Sequence, residues 1–232
     1  MEKRHIQLPN DMGCKDLTPK DQLIYLAIKS FKNEISKEAF ISLVKLKDIL
    51  GTSVDTIRKG IQHLKEKGYI EVIKVGKTQK YKFNPYKEFE PFSYDFLNRK
   101  DLTFTEKAYL AASQQYMFKD VEDYGKISYS NKELSNLINM PESTISKTNR
   151  SLQRKNYLTV LKNDSRDLET GCHTDTKVFN LKALGQAIIW TLKDHEYRIT
   201  ETEEKYKELQ EKIESQQKMI DSLMNGIKEF IV

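Results

Sequence analysis

Apolar positions in the first 190 residues recur at three- and four-residue spacing, broken by short alternating runs, and they do so twice in the same order. Leu17-Thr18-Pro19-Lys20-Asp21-Gln22 opens one helical pattern through Leu23, Ile24, Leu26, Ala27 and Ile28. Leu102-Thr103-Phe104-Thr105-Glu106-Lys107 opens another, through Ala108, Leu110, Ala111 and Tyr116. In both, a threonine precedes an acid by three positions, the spacing at which side chain and backbone cap each other at a helix start. Further along, Leu46, Ile49 and Leu50 align with Leu134, Leu137 and Ile138, and Thr56-Ile57 with Thr144-Ile145. Lys59 aligns with Lys147 and Leu64 with Leu152. Lys67-Gly68-Tyr69-Ile70 matches Lys155-Asn156-Tyr157-Leu158, and Val72-Ile73-Lys74 matches Val160-Leu161-Lys162. Chance supplies apolar matches readily, but not Thr-Ile, Lys, Tyr and Lys in one register. The pattern predicts two related units.

Each copy reads as helix, short helix, tight turn, helix and β-hairpin. In the first, Gly51 suits the left-handed residue that ends a helix and Ser53 the cap of the next. In the second, Asn139 takes the left-handed position and Pro141 suits a first helical turn. Two short helices joined by about three residues are helix-turn-helix geometry. The third helix of copy one buries Val54, Ile57, Ile61 and Leu64, leaving Asp55, Thr56, Arg58, Lys59, Gln62 and His63 outward. Copy two buries Ile145 and Leu152 and exposes Ser143, Thr144, Ser146, Lys147 and Arg150. Short polar residues followed by cations suit a helix in a major groove, with Ser, Thr and Arg at base edges and Lys at phosphates. The hairpin of copy one carries Lys74, Lys77, Lys80 and Lys82 with no acid between Glu71 and Glu88, as a wing along a phosphate backbone requires. The second hairpin mixes Lys162, Arg166 and Lys177 with Asp164, Asp167 and Glu169, so copy one is expected to grip DNA more strongly.

Between the copies, Asn84 to Leu97 holds Pro85, Pro91 and five aromatic residues, Tyr86, Phe89, Phe92, Tyr94 and Phe96. The prolines argue against a helix or central strand in its first half. Rings this numerous are expected to pack between the domains rather than hang on a loose linker, with base stacking the sharper alternative. From Ile188 the apolar steps alternate four and three, a heptad. With Ile199, Tyr206, Ile213, Ile220 and Ile227 at position a, and Leu209 and Leu223 at d, the pattern predicts a two-stranded coil with polar Gln216 fixing its register. The alternative is a single helix folded back on the body.

Charge sharpens this picture. The net charge is +5. Residues 193–232 hold seven basic and ten acidic side chains, or −3, and the rest of the chain is +8. A basic body with an acidic tail fits nucleic-acid binding by the body. The chain has two cysteines, Cys14 and Cys172, far apart, and Cys172-His173 has no second ligand pair at metal-binding spacing. Gly76-Lys77-Thr78 lacks the upstream glycine of a phosphate-binding loop, where Glu71 stands. His5, His63, His173 and His195 are scattered, and no nucleophile or carboxylate motif accompanies them. No catalysis, metal or cofactor is therefore expected. With no apolar run long enough to span a bilayer, the reading is soluble and cytoplasmic.

The repeat resembles plasmid and phage replication initiators built from two related winged-helix domains, over about residues 17–190. The resemblance implies recognition of short repeated sites at an origin or promoter, with contacts carried over by position in the motif to Thr56, Arg58, Lys59, Lys77, Thr144, Lys147 and Arg150. The C-terminal coil departs from that family and equally suits a repressor or partition adaptor. The expected fold is mainly α with small β-hairpins (α+β): two tandem winged helix-turn-helix domains and a long C-terminal coiled-coil helix. The expected boundaries are an arm at 1–16, domains at 17–84 and 102–187, a linker at 85–101 and a coil at 188–232. The expected partners are double-stranded DNA, a second copy through 188–230, and replication or transcription proteins. The rival is a protein-interaction scaffold that uses winged helices and coil to assemble partners.

Overall fold

The computed structural model describes residues 5–15, 17–33, 35–76, 78–117, 125–162, 175–181, 183–184 and 206–217. Strand β1 (Ile6–Pro9) and a 3-10 turn (Asn10–Lys15) lead into helix α1 (Pro19–Lys29). Thr18 and Asp21 close the expected capping box there, with Pro19 in the first turn. Strand β2 (Glu38–Ile41), helices α2 (Leu43–Leu50) and α3 (Val54–Glu66), and strands β3 (Ile70–Val75) and β4 (Thr78–Phe83) follow. The second copy runs through α5 (Phe104–Ser113), β6 (Lys126–Ile127), α6 (Asn131–Ile138), α7 (Glu142–Arg154), β7 (Leu158–Leu161) and β8 (Thr176–Phe179). Between the copies lie β5 (Phe89–Phe92) and α4 (Tyr94–Asn98).

Each copy forms an antiparallel three-stranded sheet, in the order β2-β4-β3 and β6-β8-β7. The repeat extends to backbone detail. Gly51 (φ +65°) and Asn139 (φ +52°) end α2 and α6 in the left-handed region. Gly68 and Asn156 do so after α3 and α7, where the next amide, Tyr69 or Tyr157, donates to Leu64 O or Leu152 O at 2.9 Å. The left-handed region is open to glycine and tolerated by asparagine, so both residue types serve.

The expected fold class needs correction. The chain is mixed α/β with three small sheets. The missed strands are short: β2 and β6 span four and two residues, too few for alternation to register. β1 and β5 pair antiparallel, with Gln7 opposite Pro91, so arm and linker make a two-stranded sheet. Both of its strands are edges, where a proline displaces no ladder bond.

Among the described residues no long C-terminal coiled coil is evident. Residues 206–217 are helical, but Tyr206, Leu209 and Ile213 on the expected seam stand 63%, 56% and 62% exposed. Heptad spacing defines a stripe without supplying a surface to cover it, and charged side chains solvate a lone helix as well as a coil. Gln216 is exposed on the same helix. Ile199, Ile220, Leu223 and Ile227 lie outside the described residues.

Residues 1–189 form one compact unit and 190–232 another. Within the first, α1 packs against both α3 and α5, so equivalent helices of the two copies meet. Phe92 and Phe96 of the joining segment are buried, their rings 5.5 Å apart. Phe89 and Tyr94 are more than a third exposed. Lys29 sits over the rings of Phe83, Tyr86 and Tyr25, at 4.1, 5.0 and 5.6 Å, tying this segment to the end of α1.

Candidate nucleic-acid interface

Four features hold α3 in place. Ser53 caps it, accepting from Thr56 N at 3.1 Å. Ile57, Ile61 and Leu64 bury one stripe against α1 and α2. Gly60 lets α1 approach closely: a Cβ there would lie 2.4 Å from Ile24 Cδ1. Asp21, buried at the start of α1, meets His63 Nδ1 at 3.3 Å. The matching acid in copy two, Glu106, accepts from Ser151 Oγ at 2.6 Å and from Lys155 Nζ at 2.7 Å. Burial pushes the Glu106 carboxyl up, but Lys155, Ser151 and Thr103 outweigh it and hold it below its ordinary value. One acid in each copy thus caps the first helix and also anchors the third.

The exposed side of α3 divides into three strips. Asp55, Lys59 and Gln62 face outward at the centre, with Gln62 donating to Glu66 at 2.7 Å. Thr56 and His63 lie on the flank toward α1; the Thr56 hydroxyl is 2.9 Å from Ser53 Oγ. Arg58 lies on the opposite flank, toward the hairpin, and meets Asp55 at 3.1 Å. Both partners of that pair are largely exposed, so it contributes little and exchanges readily.

The hairpin register separates three of the four wing lysines. Lys74 pairs with Gln79 and shares a face with Val72 and Tyr81, the face that packs toward α3. Lys80 and Lys82 point to the other face. Lys80 meets Glu38 at 2.8 Å, and Lys82 lies opposite both Glu38 and Glu71. The run of lysines in sequence is therefore two surfaces in space. Lys77 lies outside the described residues. Between α3 and the wing opens a cleft of about 300 Å³, walled by Arg58 and Lys65 from the helix and Lys74 from the strand. The sequence reading passed over Lys65, although its seven-residue spacing from Arg58 places it on the same helical strip.

In copy two, Ser143, Lys147 and Arg150 are exposed, and Thr144 is half-buried with its amide donating to Pro141 O. Ser146 accepts from Asn131 Nδ2 at 3.2 Å. Lys162 is exposed at the end of β7. Lys177, counted among the loop cations in sequence, is instead buried in β8 and donates to Tyr129 O. It occupies the register position of Tyr81, between Ile127 and Val160, and burial pushes its ammonium pKa down.

Residues 15–70 match the family model of a helix-turn-helix domain. The chain carries a helix-turn-helix domain. The match runs from just before α1 to the first residue of β3 and so contains α2, the left-handed Gly51 and α3. No curated protein matches the chain. The helix-turn-helix match supports double-stranded DNA as partner. Among the described residues, no group of three or more His, Cys, Asp or Glu side chains is placed to hold a metal ion. No helix there is long and apolar enough to cross a membrane.

Proposed function

We propose that this chain is a sequence-specific double-stranded DNA-binding protein, acting as a replication initiator or transcriptional regulator of a phage or plasmid. It would read DNA with α3 and α7 in major grooves. The observation that carries this reading is α3 itself: it lies within the matched helix-turn-helix segment, and its solvated strip Asp55, Lys59 and Gln62 stands opposite a fully packed one. Thr56 and Arg58 flank that strip, and in α7 the corresponding contacts are Ser143, Thr144, Lys147 and Arg150. Two reading helices in one compact unit call for two half-sites in a fixed arrangement.

The test is binding of the purified chain to the DNA upstream of its own gene and to a random duplex, across a salt series. Tighter binding upstream that persists at about 200 mM salt supports a specific regulator or initiator. Absence of binding at low salt overturns the reading. One observation favours a second reading, a protein-interaction scaffold: Phe40, Ile73 and Val75 are 52%, 39% and 46% exposed on the first sheet. A scaffold would show no salt-dependent DNA affinity.

A further inference from the structure

The cleft between α3 and the first wing has a rim unlike the strip beside it. Arg58 and Lys65 stand on the helix, seven residues apart and hence within about 20° of one another around its axis. They are separated by roughly 10 Å along that axis. Lys74 faces them from β3, and the rest of the lining is apolar Leu43, Ile61 and Val72 with the amides of Gln62 and Gln79. Three cations with apolar side chains and amides between them match a sugar–phosphate chain: anionic oxygens at the cations, deoxyribose carbons on the apolar lining. Two cations 10 Å apart on one helix address a run of backbone, not a single phosphate.

Groove dimensions place a backbone there. A helix with its side chains is about 10–12 Å across and a major groove about 12 Å wide. A helix that fills the groove presents its centre to the base edges and its flanks to the walls, which are phosphate backbones. The flank bearing Thr56 and His63 lies toward α1, where His63 meets Asp21. The flank bearing Arg58 and Lys65 opens into the cleft. Resting on the DNA-binding reading above, we propose that this cleft seats one strand's sugar–phosphate backbone between Arg58, Lys65 and Lys74. Arg58 then positions the helix on phosphate and reads no base. Its exposed single contact with Asp55 is given up for phosphate oxygens, which take a guanidinium in a forked geometry.

The second copy keeps one cation of this rim, Lys162 at the position of Lys74, and lacks the two on the helix. In the repeat register, Ser146 stands where Arg58 does and Gln153 where Lys65 does, and Ser146 is already hydrogen-bonded to Asn131. The three-cation rim is thus a property of copy one.

The experiment uses the full chain and two probes: a 30-base-pair duplex of random sequence, titrated across a potassium chloride series, and a randomised duplex library from which bound sites are selected. Arg58→Ala, Lys65→Ala and Lys74→Ala should each lower the slope of log affinity against log salt by about one. Arg58→Lys should retain the slope, and Gln153→Ala, at the matching position of α7, should leave it unchanged. The sites selected by Arg58→Ala should carry the wild-type consensus. Unchanged slopes in the alanine variants, with circular dichroism showing them folded, would overturn the proposal, as would a new base preference in Arg58→Ala. A wild-type chain that binds neither probe would sink the DNA-binding reading itself, and the cleft assignment with it. The two failures are therefore distinguishable.

Discussion

At single positions the two copies act as controls for each other. The register that aligns Thr18 with Thr103 and Ile57 with Ile145 sets Ile24, Ile28 and Ile61 against Tyr109, Ser113 and Asn149. All six are buried. In copy two the Tyr109 hydroxyl is turned toward Ser113 and Asn149, yet neither it, Ser113 Oγ nor Asn149 Oδ1 completes a well-formed hydrogen bond. A buried polar atom left this way costs about 1–3 kcal/mol. Tyr109→Phe should therefore be neutral or stabilising by up to about 1 kcal/mol, where an ordinary buried-tyrosine truncation destabilises. Denaturant unfolding measures it, and a clear loss would show that the hydroxyl has a partner. Gly60 makes the opposite case. Alanine there gains roughly 1 kcal/mol of helix propensity but drives a methyl into Ile24, which is fully buried. Overpacking of that kind costs about 1–3 kcal/mol. Gly60→Ala should destabilise on balance by about 1 kcal/mol, and a gain in stability would mean that α1 and α3 separate easily.

Among the elements, those the sequence made legible were the ones with strong local signals. The capping boxes at Thr18 and Thr103, the turns at Gly51 and Asn139, and the third helices all carry their information within about ten residues. The sheet edges did not, because β2 and β6 are brief and β1 finds β5 across more than eighty residues. Side-chain facing was the other loss. Four wing lysines look alike in sequence, but the register puts Lys74 toward α3 and Lys80 beside Glu38. Nothing local told Lys177 apart from a solvent-facing cation, since its burial depends on the register of β8 with β6 and β7. The anchor between α5 and α7 was equally hidden, because Glu106 and Lys155 meet across 49 positions. Lys155→Ala strands a buried carboxylate and should cost about 3 kcal/mol. The sign of its pH dependence follows from Glu106. Its pKa is lowered in the fold, so its contribution is present above the unfolded value and is lost as pH falls through the folded one. Unfolding measured from pH 7 down to 3 should show the wild type losing stability on the acid side and Lys155→Ala losing less. Parallel curves would remove Glu106 from the argument.

In the compact unit as a whole, residues 1–189, the two copies do not resemble beads on a string. Helix α1 packs on α5, the arm strand β1 pairs with β5 after the first wing, and Gln114 Nε2 reaches Pro91 O at 3.0 Å. Gly13 is wedged against the second copy: a Cβ on it would lie 3.0 Å from Gln115 Nε2 and 3.1 Å from the Tyr116 hydroxyl. Each copy therefore buries part of its first helix against the other, and neither completes its core alone. Small domains bury a low fraction of their surface and are marginal by themselves, so sharing α1 and α5 couples their unfolding. A single cooperative transition is expected for this unit, monitored by far-ultraviolet circular dichroism and by tyrosine fluorescence. Gly60→Ala in the first copy and Lys155→Ala in the second should each move that one transition whole. Were either variant to split it, with one probe melting ahead of the other, the copies would be independent domains, and the fixed spacing of half-sites expected from two reading helices would lose its physical basis.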